Sequence, residues 1–130
     1  MSHAVRHKVG AFKDPELLAR AFKRCGWNVV KNAKCRAWYT SKEYPYVAKN
    51  PNKHGYDLGF LIKKDGIELE GDTSMMHEDV WSALGTDFYK VKQAYTLESV
   101  SDWAKEHHGT MTSSVMENGV LEVELEVDSI

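Results

Sequence analysis

The periods of apolar and polar residues predict the first elements of the chain. Alternation over His3 to Val9 predicts a strand. Asp14-Pro15-Glu16 predicts the start of a helix, because aspartate caps backbone N–H groups, proline fits the first helical position and glutamate faces the positive end of the helix dipole. Apolar residues then recur at helical spacing before Gly26, namely at Leu18, Ala21, Phe22 and Cys25.

The next segment predicts two short strands and a long loop. Trp27 to Val30 and Arg36 to Thr40 have the composition of strands, and the polar residues Lys31 to Lys34 separate them. Residues 41–55 show no period and contain Pro45, Pro51 and Gly55. A long loop is therefore expected over 41–55, where function or mobility concentrates in small domains.

A hairpin is predicted after this loop. Tyr56 to Lys63 alternates, and Asp65-Gly66 is a two-residue turn signal before Ile67 to Asp72. The predicted turn pairs Lys64 with Ile67. This register places Ile62 opposite Leu69 on the buried face of the hairpin. It places Lys63 opposite Glu68 on the solvent-exposed face. We therefore expect a cross-strand ion pair between Lys63 and Glu68.

The last part predicts a long helical segment and a second hairpin. A helix capped by Thr73 or Ser74 is expected to pass through Gly85, which weakens it without ending it. Helical spacing resumes after Thr96 and ends at Gly109, so the segment between 74 and 108 is one bent helix or two helices in series. Met111 to Met116 and Val120 to Val127 flank the turn signal Asn118-Gly119.

The element order predicts an α+β fold, β-α-β-β-β-β-α(α)-β-β, with two to three helices on one face of a mainly antiparallel sheet. Its 130 residues, 42% of them hydrophobic, fit a single domain over residues 1–130. No apolar run has the length of a membrane helix and the start is polar and basic, so we expect no membrane partner and a cytoplasmic location. Cys25 and Cys35 are expected to be reduced thiols, with Cys25 buried.

The charge is distributed unevenly along the chain. Residues 1–64 contain fourteen Lys and Arg against four Asp and Glu, and residues 65–130 contain three against fifteen, so the two parts carry +10 and −12. The two halves can neutralise each other across a shared sheet. They can also give the molecule one face for an anionic partner.

Several local patterns occur in the order found in one known family. They are Met1-Ser2-His3, Cys25-Gly26-Trp27, the strand Gly55-Tyr56-Asp57-Leu58-Gly59-Phe60, Asp72, Gln93-Ala94-Tyr95 with Val100 and Ala104, and Asn118-Gly119. The sequence resembles the family named for hypothetical chloroplast reading frame thirty-five, found in cyanobacteria and some algal plastids and also described as a bacterial domain of unknown function. Ala4 stands where that family usually has an aromatic residue. The resemblance implies a single-domain protein and transfers no active site or cofactor.

Candidate chemistry is sparse. The six histidines lack metal-ligand spacing, and the glycines form no phosphate-binding loop, so neither a metal nor a cofactor site is predicted. The exposed face of the hairpin is expected to carry three carboxylates, those of Asp57, Glu70 and Asp72. Three such groups can bind the metal ion of a metal-dependent enzyme. We interpret them instead as ordinary solvated side chains. Asp57 can equally cap a backbone turn next to Gly59. Cys35, between two cations, has no evident histidine partner for nucleophilic catalysis.

The segment from Lys31 to His54 is basic and aromatic. It carries Trp38, Tyr39, Tyr44 and Tyr46 among six cations, namely Lys31, Lys34, Arg36, Lys42, Lys49 and Lys53, with Glu43 as its single acid. This composition suits single-stranded nucleic acid, an acidic protein, or a solvated loop with two aromatics in the core. The leading hypothesis is a small non-enzymatic interaction or regulatory module that binds a macromolecular partner through these cations with Tyr44 and Tyr46, and a protein is the favoured partner. The alternatives are a nucleic-acid-binding protein and an enzyme using the three carboxylates.

Overall fold

The structure is a computed structural model that describes residues 5–8, 12–37, 42–72, 78–107, 109–117 and 120–127. In chain order its elements are β1 Val5–Lys8, α1 Pro15–Arg24, β2 Asn28–Cys35, β3 Lys42–Lys49, β4 Leu58–Lys63, β5 Gly66–Gly71, α2 Glu78–Leu84, a 3-10 turn Thr86–Phe88, α3 Tyr89–Glu106, β6 Gly109–Glu117 and β7 Val120–Val127. The predicted element order and the α+β class are confirmed.

Five strands form one antiparallel sheet in the order β1-β5-β4-β3-β2, and β6 pairs with β7 in a separate hairpin. The helices pack on one face of the five-stranded sheet, where Phe22 of α1 contacts Phe60 of β4 with ring centroids 5.7 Å apart. Helix α3 packs against α1, and the hydroxyl of Tyr95 accepts hydrogen bonds from the backbone N–H groups of Lys13 and Asp14. We call the sheet face opposite α1 the far face.

Helix α1 forms as the sequence predicts. The Asp14 carboxylate accepts hydrogen bonds from the N–H groups of Glu16 and Leu17, and Pro15 occupies the first helical position. Leu18, Ala21 and Phe22 are buried on one stripe. The local signals and the tertiary contacts agree here, which explains why the whole helix could be predicted.

The predicted loop over 41–55 is wrong for its first half, because Lys42–Lys49 forms strand β3 in the middle of the sheet. The strand predicted over Trp27 to Val30 forms, but it continues as β2 through the polar Lys31 to Lys34 to Cys35. Of the strand predicted over Arg36 to Thr40, residues 36–37 are not in a strand and residues 38–40 lie outside the described residues. Pro45 is typical of a loop, and it contributed to the wrong prediction of one over 41–55. It falls between the pairs Lys31–Tyr46 and Ala33–Tyr44, opposite Asn32, where the ladder has no paired position that needs its missing N–H.

Asn32 also changes the face to which β2 presents its side chains. Its backbone is left-handed, with φ of 50°. Before it, Lys31 forms an ion pair with Glu16 of α1, whereas after it Ala33 and Cys35 pack in a second apolar cluster with Tyr44 and Val47. Residues of equal parity share a face in a regular strand, so this irregularity is what brings the end of β2 to the far face.

The hairpin β4–β5 has a register two residues from the predicted one. Lys63 pairs with Gly66 and Ile62 with Ile67, so the turn is Lys64-Asp65 and Gly66 is the first residue of β5. A shift of two residues keeps every side chain on its face. The predicted ion pair therefore still forms, as a diagonal contact of 3.0 Å between Lys63 Nζ and Glu68 Oε2.

The helical segment is two helices, and the predicted passage through Gly85 is wrong. Helix α2 ends at Leu84, and Gly85, Asp87 and Phe88 have left-handed φ of 80°, 55° and 61°. Burial of Phe88 against Trp81 stabilises this break. Thr96 does not start a helix, since its hydroxyl donates to the carbonyl of Lys92 within α3.

The C-terminal hairpin is confirmed over β6 and β7, where Glu117 pairs with Val120. Its turn, Asn118-Gly119, lies outside the described residues, as do the proposed caps Thr73 and Ser74 and residues 38–41. The two cysteines are free, and their predicted burial is corrected: Cys35 is buried and Cys25 is half-buried.

Candidate interaction surface

The structure distributes the predicted binding residues over three environments. Arg36 and Lys49 bind a buried aspartate, Tyr44 and Lys42 lie on the far face, and Lys31 and Tyr46 lie on the α1 side. The two remaining residues, Lys34 and Lys53, are exposed. The segment is therefore not one continuous basic and aromatic surface.

Arg36, which is 34% exposed, and the buried Asp57 form an ion pair that we call the clamp. Arg36 follows the end of β2 and Asp57 precedes β4. Guanidinium Nη2 and Nε lie 2.7 Å and 3.0 Å from the two carboxylate oxygens of Asp57, whose side chain is 0% exposed. The backbones also join, since the N–H of Arg36 donates to Oδ2 of Asp57 and the N–H of Asp57 donates to the carbonyl of Arg36. This geometry is the bidentate pairing that arginine forms with carboxylates.

The clamp orders the turn over residues 50–56. Arg36 donates further hydrogen bonds to the carbonyls of Asn50 and Lys53, at 2.8 Å each. Asp57 accepts from the N–H of Asn50 at 2.9 Å and from Lys49 Nζ at 3.2 Å. The contacts to Asn50 and Lys53 bind backbone groups between β3 and β4, so this polar segment is held in one conformation.

Asparagine side chains complete the turn. Oδ1 of Asn50 accepts from the N–H of Asn52, and Oδ1 of Asn52 accepts from the N–H of His54. Gly55 lies against the Asn50 amide, where an added Cβ would come within 2.2 Å of Nδ2. The Asn-Pro-Asn sequence with Gly55 three residues later is the signal that could have identified this turn from sequence.

The charges of the clamp reinforce each other. Burial alone would raise the pKa of Asp57, but the hydrogen bonds from Arg36, Asn50 and Lys49 outweigh it and hold the pKa of this carboxyl below its usual value. The hydrogen bond to Asp57 in turn raises the pKa of Arg36. Both groups therefore stay ionised at neutral pH.

A second polar contact lies on the far face. The Tyr44 hydroxyl donates to the carboxylate of Glu70, and the Tyr44 ring covers Gly59 of the intervening strand. Lys42 Nζ lies 5.3 Å from the centre of the Tyr44 ring and 3.7 Å from Glu70 Oε1. Tyr44 is buried, so the prediction that it forms part of an exposed contact surface is wrong.

Lys31 and Tyr46 are occupied on the α1 side. Glu16 of α1 accepts a hydrogen bond of 2.9 Å from the Tyr46 hydroxyl and lies 2.8 Å from Lys31 Nζ. The Tyr46 ring stacks on Phe60 at 5.7 Å. Neither Tyr44 nor Tyr46 therefore presents a free ring face of the kind that stacks on nucleic-acid bases.

Two exposed lysines lie beside the clamp. The carbonyl of Lys34 accepts from Lys49 Nζ at 2.8 Å, and the carbonyl of Lys53 accepts from Arg36, so both backbones adjoin the clamp. Within the part of the chain that the structure describes, neither lysine side chain forms an ion pair. We call the exposed residues Lys34, Lys53 and His54 the basic rim.

The carboxylates of the hairpin are not on a solvated face, and that interpretation is wrong. Asp57, Glu70 and Asp72 are 0%, 6% and 3% exposed. Cys35 of β2 and Tyr44 of β3 pack together on the far face. Each follows or precedes an unpaired position of the β2–β3 ladder, Asn32 in β2 and Pro45 in β3. The alternative for Asp57, capping of a backbone turn next to Gly59, is correct in its role but not in its place, because Asp57 accepts from the N–H of Asn50 in the turn over residues 50–56.

Cys35 is unsuited to act as a nucleophile. Burial, followed by the negative charge of Asp57, raises the pKa of its thiol to about 12. A protonated thiol is a weak nucleophile and a weak metal ligand. Among the described residues, no group of three or more His, Cys, Asp or Glu side chains is placed to hold a metal ion, and no helix has the length and apolar character to cross a membrane.

Ion pairs join the basic first half of the chain to the acidic second half in two places. Arg20 and Arg24 of α1 form ion pairs of 2.5 Å and 2.7 Å with Asp102 and Glu98 of α3. Across the sheet, where the first of the two explanations places the neutralisation, Lys42 and Lys63 lie 3.7 Å and 3.0 Å from Glu70 and Glu68. The basic rim lies outside these pairs.

We compared the chain with models of known protein families, with curated proteins and with solved structures. None of the three comparisons finds a match. We therefore infer the function of the chain from its own structure.

Proposed function

We propose that the chain is a non-enzymatic interaction module that binds an acidic protein through the basic rim. The observation that carries this proposal is the clamp, which uses an ion pair with the buried Asp57 and bonds to two turn carbonyls to fix an exposed turn. A rigid turn loses little conformational entropy on binding, so preorganisation of this kind favours recognition. The proposed resemblance to the family of chloroplast reading frame thirty-five agrees with it, since no catalytic set comes with that family.

The chemistry of the buried groups supports an interaction module over an enzyme. Both oxygens of Asp57 accept hydrogen bonds from Arg36, and the remaining donors are Lys49 and the backbone of Asn50. A metal or substrate bound to Asp57 would have to displace these donors. Cys35 is a neutral buried thiol.

A protein is favoured over single-stranded nucleic acid because of the aromatics. Base stacking needs exposed ring faces, whereas Tyr44 is buried and Tyr46 is stacked on Phe60. Two exposed lysines and one histidine supply charge for steering toward an acidic patch.

The test compares two charge-reversed variants of the full chain. Lys34→Glu/Lys53→Glu changes the rim, and Lys64→Glu/Lys92→Glu makes the same change of charge at exposed positions elsewhere. Each is used to capture proteins from the native host at about 0.1 M and about 0.5 M salt, where screening differs strongly. We expect an acidic protein that the wild type and the control retain at low salt and the rim variant loses.

A partner retained equally by both variants would contradict the proposal. Filter binding with single-stranded DNA and RNA covers the alternative. Binding of either nucleic acid that the rim variant abolishes would replace the protein partner with a nucleic acid.

A further inference from the structure

A groove separates the end of α1 from the first half of α3, away from the basic rim. Arg24 and Cys25 line it from α1, and α3 contributes five residues, Tyr89, Lys90, Gln93, Ala94 and Leu97. Its volume of about 540 Å³ falls in the range of small-molecule sites. The groove is therefore large enough for a metabolite-sized ligand.

The lining of the groove is divided into an apolar and a cationic part. Ala94, Leu97 and the ring of Tyr89 are apolar surfaces, and burial raises the pKa of the Cys25 thiol, which keeps this side chain neutral. Arg24 and Lys90 are the charged lining residues, and both are cations. A ligand that fits both parts has an anionic group attached to an apolar body.

The two cations keep donors for such a ligand. Arg24 binds Glu98 through Nε at 2.7 Å, and among the described residues its two terminal nitrogens have no other partner. Lys90 Nζ donates to the carbonyl of Ser82 at 2.5 Å and has no acidic partner in the described part of the chain. Since Glu98 offsets one charge of the two, the groove retains a net positive charge.

The backbone before α3 places one wall of the groove. Phe88 and Asp87 adopt left-handed φ directly before Tyr89 and Lys90. The Tyr89 ring lies against Gly85, where an added Cβ would come within 2.4 Å of Cδ1. Tyr89 nevertheless remains 45% exposed, so its position is fixed while its ring is accessible.

We propose that this groove binds a small organic acid, with the carboxylate held by Arg24 and Lys90 and the apolar body against Tyr89 and Leu97. The guanidinium and ammonium groups supply charge-assisted hydrogen bonds to the carboxylate. The site is independent of the partner surface in "Proposed function", since it shares no residue with the basic rim.

The probe is 4-phenylbutyrate, titrated into the full chain and followed through backbone amide signals in NMR spectra. We expect saturable shifts at Lys90, Gln93, Ala94 and Leu97. Lys90→Met removes the charge but keeps the length of the side chain, and Lys92→Met is its matched control on the exposed part of the same helix. Loss of one charge-assisted contact predicts about fivefold weaker binding for Lys90→Met and an unchanged affinity for Lys92→Met.

The neutral analogue 4-phenylbutan-1-ol tests the charge from the side of the ligand, and we expect it to bind about fivefold more weakly than the acid. Equal affinity for the acid and the alcohol, equal effects of the two Met variants, or no saturable shift at the four amides would each overturn the proposal. If Lys90→Met does not fold, Arg24→Gln with Lys23→Gln as control makes the same comparison on α1.

Discussion

The hydroxyl of Tyr44 reaches across strand β4 to the carboxylate of Glu70 on β5, and Gly59 leaves the space that the Tyr44 ring fills. This contact covers Gly59 and the Glu70 carboxylate on the far face of the sheet. It explains how carboxylates that alternate to the polar side of a hairpin become buried.

Tyr44→Phe removes the hydroxyl and leaves the buried Glu70 carboxylate with one donor fewer. We expect a loss of about 1–2 kcal/mol in the free energy of unfolding, measured by urea denaturation. Tyr46→Phe is the control, because its hydroxyl binds the exposed Glu16, and a change below about 0.5 kcal/mol is expected. Equal losses in the two variants would show that the Tyr44 hydroxyl stabilises the fold no more than the Tyr46 hydroxyl does.

Gly59→Ala tests the same packing from the other side. An added Cβ would lie 2.5 Å from Cγ of Tyr44, so the ring has to move away from β4. Overpacking of this kind costs about 1–3 kcal/mol, which thermal unfolding measures as a lower melting temperature. An unchanged melting temperature would mean that the ring does not lie over Gly59.

Helix α1 could be predicted completely and the far face could not, for a physical reason. The cap, the apolar stripe and the end of α1 are encoded within a dozen neighbouring residues. On the far face, Cys35 of β2 and Tyr44 of β3 pack together beyond an unpaired position in each strand, at the left-handed Asn32 and at Pro45. Period-two arguments assume that no such irregularity occurs.

The sequence shows that the candidate surface is rich in cations, but it does not show which groups these cations bind. Arg36, Lys49 and Lys53 stand out in the sequence because the segment has one acid among six cations. Asp57, the partner of Arg36 and Lys49, follows the segment in sequence and lies on a different strand boundary. The alternation of the hairpin predicts that Asp57 is exposed. The clamp forms because β3 brings the end of β2 next to the start of β4, which the alternation does not predict.

The buried thiol of Cys35 predicts a difference in reactivity between the two cysteines. Its pKa of about 12 and its burial make it inert at pH 8, whereas Cys25 is half-buried. In Cys25→Ser, we expect an aromatic disulfide reagent to modify Cys35 no faster than the chain unfolds. Rapid modification in the folded state would contradict the burial of Cys35.

The clamp predicts a contribution to stability that depends on pH. The pKa of Asp57 lies below its ordinary value of 3.8 in the folded chain, so the unfolded chain takes up the proton first as the pH falls. The stabilisation is present above this ordinary value and is lost as the pH decreases through it toward the folded pKa. We expect the free energy of unfolding to fall more steeply between about pH 5 and pH 3 in the wild type than in Asp57→Asn. Parallel profiles would exclude a titrating clamp.

Hydrogen exchange at the turn tests the central claim, that the clamp orders the turn that carries Lys53 and His54 of the basic rim. The N–H groups of Gly55 and Asp57 donate to the carbonyls of Asn52 and Arg36, so both should exchange slowly in the wild type. In Asp57→Asn, an amide nitrogen faces the donors of Arg36, and we expect both N–H groups to lose protection while Phe60 and Leu69 in the core keep theirs. Fast exchange of Gly55 and Asp57 in the wild type, or unchanged protection in Asp57→Asn, would contradict the account.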